Sequence, residues 1–541
     1  MIQRRTLLAT TPGLLLPAAA KSDPCGLVVD APCGPVVGTA ASSGLICGKD
    51  MQFLGIPYAA APIGSLRYAS PRPILRWSEP RDATIPGPAP IQSLVGAAAW
   101  LYEPTPNQSE DCLFLNVWTP DPKGRRPVMV WLHGGAWRTG HGAVAGTNGA
   151  RLAHDGDVVV VTVNYRLGAL GWLAHPALAD PETGAAANWG LQDQIAALRW
   201  VQANIAAFGG DPGRVTLFGQ SAGGSSTASI AQDPRNGGLL HRAIIESGSL
   251  HGAPGFPAMA TAAAYAEALA RRLDTDVPGL RRVPAPALHQ AELTQARDPA
   301  MARALGRPPV LPVLDGTVLR VWPRDGALAA VPLLIGTTRN EGAFWYDLVG
   351  PDGAKVPGLT PPASDAQFRT MFTDLAAIYR PEGMDRAAAA APVYAEAARS
   401  RGEADDLLSV WVAAYTDIVF RLRARECAMR HAAAGHPTYL YEFAQPLKAP
   451  AHGVPHTAEI PFVFGTYDTP FFAGKVGAGP EEKALSEAVL SVWAGFAHRG
   501  SVPGWAPVTA TAAPLAVLGG GATVSASTGV RMQELAAWGV A

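Results

Sequence analysis

No surplus of either charge, no long apolar run and no cysteine cluster marks this 541-residue chain. Its 43 Lys and Arg stand against 44 Asp and Glu, and the formal net charge of −1 offers nothing to nucleic acid or an anionic membrane surface. Past the amino terminus no apolar stretch reaches the roughly 20 residues a transmembrane helix needs, so no membrane insertion is expected of the mature chain. The five cysteines (Cys25, Cys33, Cys47, Cys112 and Cys427) are an odd number, so one stays unpaired unless a partner chain supplies its mate. Cys25 and Cys33 are close enough in sequence to close a small loop in an oxidising compartment. No Cys-x-x-Cys pair or His-Cys cluster offers a metal site, and the sequence calls for no cofactor.

What is present is a large, loop-rich globular chain with 48% hydrophobic residues, 58 glycines and 49 prolines. Residues 1–20 read as an export signal of the twin-arginine type. Arg4-Arg5 precedes the apolar Leu7-Leu8 run, and Ala18-Ala19-Ala20 supplies small residues for cleavage. An exported bacterial protein, periplasmic or secreted, is expected; a basic tail on a cytoplasmic protein is the alternative. Residues 21–541 are read as a single domain.

Apolar, β-branched runs at Val128–Leu132, Val158–Val163, Arg214–Phe218, Ala243–Ile245, Leu333–Ile335 and Tyr439–Tyr441 predict strands. Leu191, Ile195, Leu198, Val201, Ile205 and Phe208 recur at helical spacing and are stopped by Gly209-Gly210-Asp211-Pro212. Strands alternating with helices predict an α/β fold with a mostly parallel central sheet. From about residue 257 the composition turns alanine-rich, as in Ala258–Leu273 and Arg386–Arg401. Segments of about 257–310 and 345–435 are therefore expected to be helical insertions capping the catalytic gorge.

The chemistry centres on Gly219-Gln220-Ser221-Ala222-Gly223, which follows one predicted strand and leads into small residues able to open a helix. The bare pattern arises by chance about 0.3 times in so glycine-rich a chain, but a strand turning into a helix through Gly-x-Ser-x-Gly is the nucleophile elbow of an α/β-hydrolase. Such an enzyme needs donors for an oxyanion, a base and an acid that orients the base. His133-Gly134-Gly135-Ala136-Trp137 follows the strand ending at Leu132, which nominates the N–H groups of Gly135 and Ala136, with that of Ala222, for the oxyanion hole. Among twelve histidines, His456 sits in a loop before Glu459 and an apolar run, with His452 as its nearest competitor. Glu341 lies just beyond the strand at Leu333–Ile335, a position suited to the acid, although a surface carboxylate would look the same. The order Ser221, Glu341, His456 is that of the fold.

These residues are accompanied by Phe53-Leu54-Gly55-Ile56-Pro57-Tyr58-Ala59, Ser109-Glu110-Asp111-Cys112-Leu113-Phe114-Leu115-Asn116-Val117, Asn164-Tyr165-Arg166-Leu167-Gly168 and Gly190-Leu191-Gln192-Asp193-Gln194. With Phe208-Gly209-Gly210-Asp211-Pro212 they make the chain resemble the type-B carboxylesterases, a family that includes the cholinesterases and the bacterial para-nitrobenzyl esterases. The resemblance runs from about Phe53 to Trp505. It implies a Ser-His-Glu triad in one α/β-hydrolase body with a deep gorge.

Three departures accompany the resemblance. The family's mate for Cys112 follows a Gly-Pro dipeptide, but here Gly87-Pro88-Ala89 is followed by Pro90; Cys47 is another potential mate. Gln220 stands where the family often has Glu, which weakens the case for a cationic substrate. Thr457 follows the histidine where Gly is common. Trp100 and Tyr102 fall near the place where cholinesterases stack an aromatic on a quaternary ammonium, and Trp137 is a further candidate to line the pocket. The resulting expectation is hydrolysis of small-molecule carboxylic esters through an acyl-enzyme. An amidase or carbamate hydrolase with the same triad is the alternative, and a non-catalytic binding member of the fold is a third reading. The sequence does not distinguish a monomer from a homodimer.

Overall fold

A computed structural model describes residues 28–41, 50–93, 107–251, 255–298, 310–347, 358–448, 453–527 and 529–540. The signal segment, Cys25, Cys47, Trp100, Tyr102 and His452 lie outside these residues.

A small sheet joins β1 (Val28–Ala31), β2 (Gly34–Val37) and β5 (Arg81–Asp82). The main sheet contains β3 (Thr39–Ala40), β4 (Met51–Pro57), β6 (Phe114–Thr119), β7 (Arg126–Leu132), β8 (Val159–Val163), β9 (Gly210–Gln220) and β10 (Arg242–Glu246). It continues through β11 (Leu333–Thr338), β12 (Thr438–Phe443), β13 (Leu515–Leu518) and β14 (Val524–Ser527). Their spatial order is β14-β13-β12-β11-β10-β9-β7-β8-β6-β4-β3. The run from β8 to β13 is parallel throughout, and antiparallel strands extend it at both edges.

The central strands are apolar on both faces because helices cover both. In β7, Val128, Val130 and Leu132 join one core, while Met129 and Trp131 join the core on the opposite side. The helical stripe between β8 and β9 forms the helix Trp189–Asn204, followed by a 3₁₀ turn to Phe208. Gly209 closes it in the left-handed conformation at φ 80°, and β9 starts at the next residue. Alanine-rich segments form the helices Met259–Arg272, Ala285–Ala296 and Met384–Arg401. The last packs with Asp365–Tyr379 and Leu407–Thr416 around Phe372, Tyr394, Trp411 and Trp538.

Several motifs turn out to be structural. Arg166 grips the buried Asp193 through Nη2 at 2.7 Å and Nε at 2.8 Å, and its backbone N–H also donates to that carboxylate. Arg67 holds Glu110 with Nε at 2.7 Å and Nη2 at 2.5 Å. Cys33, Cys112 and Cys427 carry free thiols, and burial pushes that of Cys112 well above its usual range.

Candidate active site

The site lies beyond the carboxyl ends of the parallel strands, where loops from neighbouring strands converge. In register, Gln220 of β9 faces Glu246 of β10, which faces Gly336 of β11. Ser221 follows Gln220 directly, and its N–H donates to the Glu246 carbonyl at 2.8 Å. Its backbone is held at φ 58° and ψ −121°, a strained conformation for a residue with a Cβ. The helix Ala222–Ala231 starts immediately after it.

The flanking glycines make this turn possible. A Cβ on Gly223 would lie 1.9 Å from the Leu132 carbonyl oxygen, and one on Gly219 would lie 2.7 Å from that same atom. The elbow is thus pressed against the end of β7, the strand that carries His133-Gly134-Gly135. In that loop Gly135, Ala136 and Trp137 all have positive φ, at 107°, 54° and 57°. The loop is held by Arg138 N–H and Thr139 N–H, which both donate to the Gly135 carbonyl at 3.0 Å. His133 fixes its base. The ring stacks on Tyr165 at 4.2 Å, and Tyr165 Oη donates to the His133 carbonyl at 2.6 Å. Burial lowers the His133 pKa to about 3, so its ring is neutral at working pH.

Ala222 is the first residue of its helix, so its N–H has no intrahelical acceptor. Gly135 and Ala136 line one cavity of about 560 Å³ together with Ser221 and His456.

His456 comes from the loop after β12 and Glu341 from the turn after β11. His456 Nδ1 lies 2.5 Å from Glu341 Oε2, and Glu341 Oε1 accepts from Thr338 N–H at 2.8 Å. Glu341 is fully buried and His456 is 2% exposed. With Nδ1–H donated to the carboxylate, Nε2 presents its lone pair, and the Gln220 amide nitrogen lies against the ring, 3.1 Å from Nε2 and 3.4 Å from Nδ1. The ring of Trp345 at 4.9 Å, that of Phe420 at 5.1 Å and that of Phe344 at 5.7 Å pack around the imidazole.

Behind the pair lie two further buried carboxyls. Glu246 accepts from Trp493 Nε1 at 2.7 Å, and burial pushes its pKa up to about 8. Glu459 is raised well above the usual carboxyl range by burial and by the neighbouring Glu246 and Glu341. Burial thus disfavours the charged form of both, which limits the negative charge stored behind the site.

Of the sequence-derived set, Gly135, Ala136, Ser221 and His456 share the cavity, Glu341 lies behind His456 and Ala222 follows the serine, while Trp100 and Tyr102 fall outside the described residues. Trp137 does not line the cavity: its positive φ turns the indole into the core, where Nε1 donates to Ser226 Oγ at 3.1 Å and the ring packs on Trp172 and Phe256. Its neighbour Arg138 lines the cavity instead. Sequence reasoning also missed Phe344 and Trp345, although aromatics three and four residues after the acid were a usable signal. His289, Glu292 and Arg297 are contributed by a helix distant in sequence and carried no local sign.

A model of the carboxylesterase family matches residues 26–538. The chain is 36% identical over 465 residues to para-nitrobenzyl esterase of Bacillus subtilis (strain 168), covering 83% of this chain and 86% of that protein. It is 35% identical over 500 residues to fumonisin B1 esterase of Sphingopyxis macrogoltabida, covering 90% and 84%. Among solved structures, a PNB esterase aligns with a TM-score of 0.77 and 32% identity over 94% of this chain and 99% of that one.

Proposed function

The chain belongs to the carboxylesterase family and is a carboxylic-ester hydrolase with the α/β-hydrolase fold, and from that premise we propose that Ser221, His456 and Glu341 are its catalytic triad. The observation that carries this assignment is the contact of Glu341 with His456, a histidine that lines the same cavity as a serine held on a strained elbow. His456 Nε2 takes the Ser221 proton as Oγ attacks the ester carbonyl. Glu341 keeps the proton on Nδ1 and stabilises the imidazolium that forms. Gly135, Ala136 and Ala222 donate backbone N–H groups to the tetrahedral oxyanion. His456 then protonates the departing alcohol, and the same residues direct water onto the acyl-enzyme. The aromatic rings around His456 keep water from that ring face while the charge develops.

The substrate is a small-molecule ester that fits a cavity of about 560 Å³. The helical segments of about 257–310 and 345–435 serve as the cap of a single catalytic domain, and the Arg4-Arg5 segment directs export to the periplasm or beyond. Among the described residues no helix is long and apolar enough to cross a membrane. The test of the triad assignment is hydrolysis of para-nitrophenyl esters from acetate to laurate by wild type and Ser221→Ala. Turnover lost in the variant supports the assignment, and equal turnover in the two removes it.

A further inference from the structure

The charges on the cavity wall have no part in the triad chemistry. The helix Ala285–Ala296 runs along the wall and turns His289, Glu292, Leu293 and Ala296 toward the cavity, with Arg297 at its end. These positions follow helical spacing, so one stripe of the helix forms the lining.

The single carboxylate among the described lining residues, Glu292, is already engaged. Its Oε2 accepts from Ala169 N–H at 2.8 Å, and its Oε1 pairs with Arg138 Nη2 at 3.2 Å. It is 2% exposed, so its charge is spent inside the wall. His289 shares a hydrogen bond with Ser93 Oγ at 2.9 Å, and burial lowers its pKa, so it adds no charge at neutral pH. Gln220 is neutral. Arg138 and Arg297 remain as cations. Arg138 is 27% exposed on the cavity side of its ion pair, whereas Arg297 is exposed and has no acidic partner among the described residues. Its neighbour Asp298 is held by Arg272 at 3.3 Å. Among the described lining residues, two guanidinium groups against one engaged carboxylate leave a net positive charge beside the apolar Leu293, Ala296, Phe344 and Trp345. Such a wall repels cationic substrates, and a guanidinium fork suits a carboxylate.

We propose that this esterase selects esters that carry a second, ionised carboxylate away from the scissile bond, with Arg297 as its specificity-determining contact and Arg138 adding to the field. This inference rests on the esterase reading of the same site. The attraction is partly solvent-exposed and so sensitive to salt.

The test compares para-nitrophenyl hexanoate, heptanoate and octanoate with the mono-para-nitrophenyl esters of adipic, pimelic and suberic acids, at low ionic strength. Reactions of Ser221→Ala are subtracted as background. The readout is the ratio of kcat/KM for the charged ester to that for the neutral ester of equal chain length, which is independent of active enzyme concentration. The ratio should exceed one for at least one length in wild type, fall about tenfold in Arg297→Glu and be largely restored in Arg297→Lys. A ratio below one at every length, or one that Arg297→Glu leaves unchanged, overturns the proposal while neutral-ester turnover leaves the esterase reading intact. Turnover that survives in Ser221→Ala instead overturns the triad assignment on which the proposal rests.

Discussion

Replacing Glu341 by Gln isolates what the acid contributes, because the surroundings dictate how the new amide must sit. Glu341 Oε1 accepts from Thr338 N–H at 2.8 Å, so in Glu341→Gln the amide oxygen stays on that donor and the NH₂ group turns to His456 Nδ1. Two donors cannot share that contact. The imidazole therefore moves its proton to Nε2, the nitrogen that must accept from Ser221. The charge is lost as well. With charge centres about 4 Å apart and an effective dielectric of about 20, carboxylate and imidazolium attract by about 4 kcal/mol. At about 1.4 kcal/mol per decade this is about 10³ in kcat. The wrong tautomer brings the expected loss to between about 10³ and 10⁴. The assay is kcat on para-nitrophenyl butyrate, with circular dichroism and Tm as checks on the fold. Glu341→Asp keeps the charge but withdraws it by about 1.5 Å, so its loss should be smaller. A folded Glu341→Gln enzyme that loses less than about tenfold would refute the role of this carboxylate.

Two further substitutions probe the frame of the site. Gly223→Ala places a methyl 1.9 Å from the Leu132 carbonyl, and overpacking against backbone costs about 1–3 kcal/mol or more. Tm should fall and activity should collapse with the elbow, whereas Gly474→Ala, where a Cβ meets nothing within 4 Å, should leave Tm unchanged or slightly raised. Glu246, pushed from 4.5 to about 8, keeps its proton in the folded state at pH values where the unfolded chain has lost it. Its contribution is therefore full below pH 4.5 and is lost as pH rises toward 8. Glu246→Gln retains an acceptor for Trp493 and removes this dependence, so thermal melts should show the variant gaining on wild type from pH 5 to pH 8.

The central strands were legible because burial on both faces leaves continuous apolar runs: β7, β10, β11 and β12 contain the segments read as strands, and β8 starts one residue later than read. The edge of the sheet was harder. Phe53–Ala59 and Ser109–Val117 stood out only as family landmarks, yet they overlap β4 and β6. Gly55, at φ 73°, interrupts the register of β4 between Phe53 and Ile56, which breaks the alternation by which a strand is recognised. Ser221 was marked by its local motif, and Glu341 by its place after a strand. His456 was chosen over His452 largely through family resemblance, because nothing local distinguishes a base from a loop histidine. The cavity wall was least legible of all. Arg297 shares the cavity with Ser221 only through tertiary packing, and the inward turn of Trp137 depends on backbone angles that the sequence pattern does not display.

The central claim is that Ser221 is a nucleophile activated by His456, and active-site labelling tests it most directly. Wild type, Ser221→Ala and His456→Ala are incubated with a fluorophosphonate, and the adduct is counted by intact mass and located by peptide mapping. One adduct per chain is expected on Ser221 in wild type, none in Ser221→Ala, and labelling slower by at least about 100-fold in His456→Ala. An adduct on another residue, or a His456→Ala enzyme labelled as fast as wild type, would contradict the account.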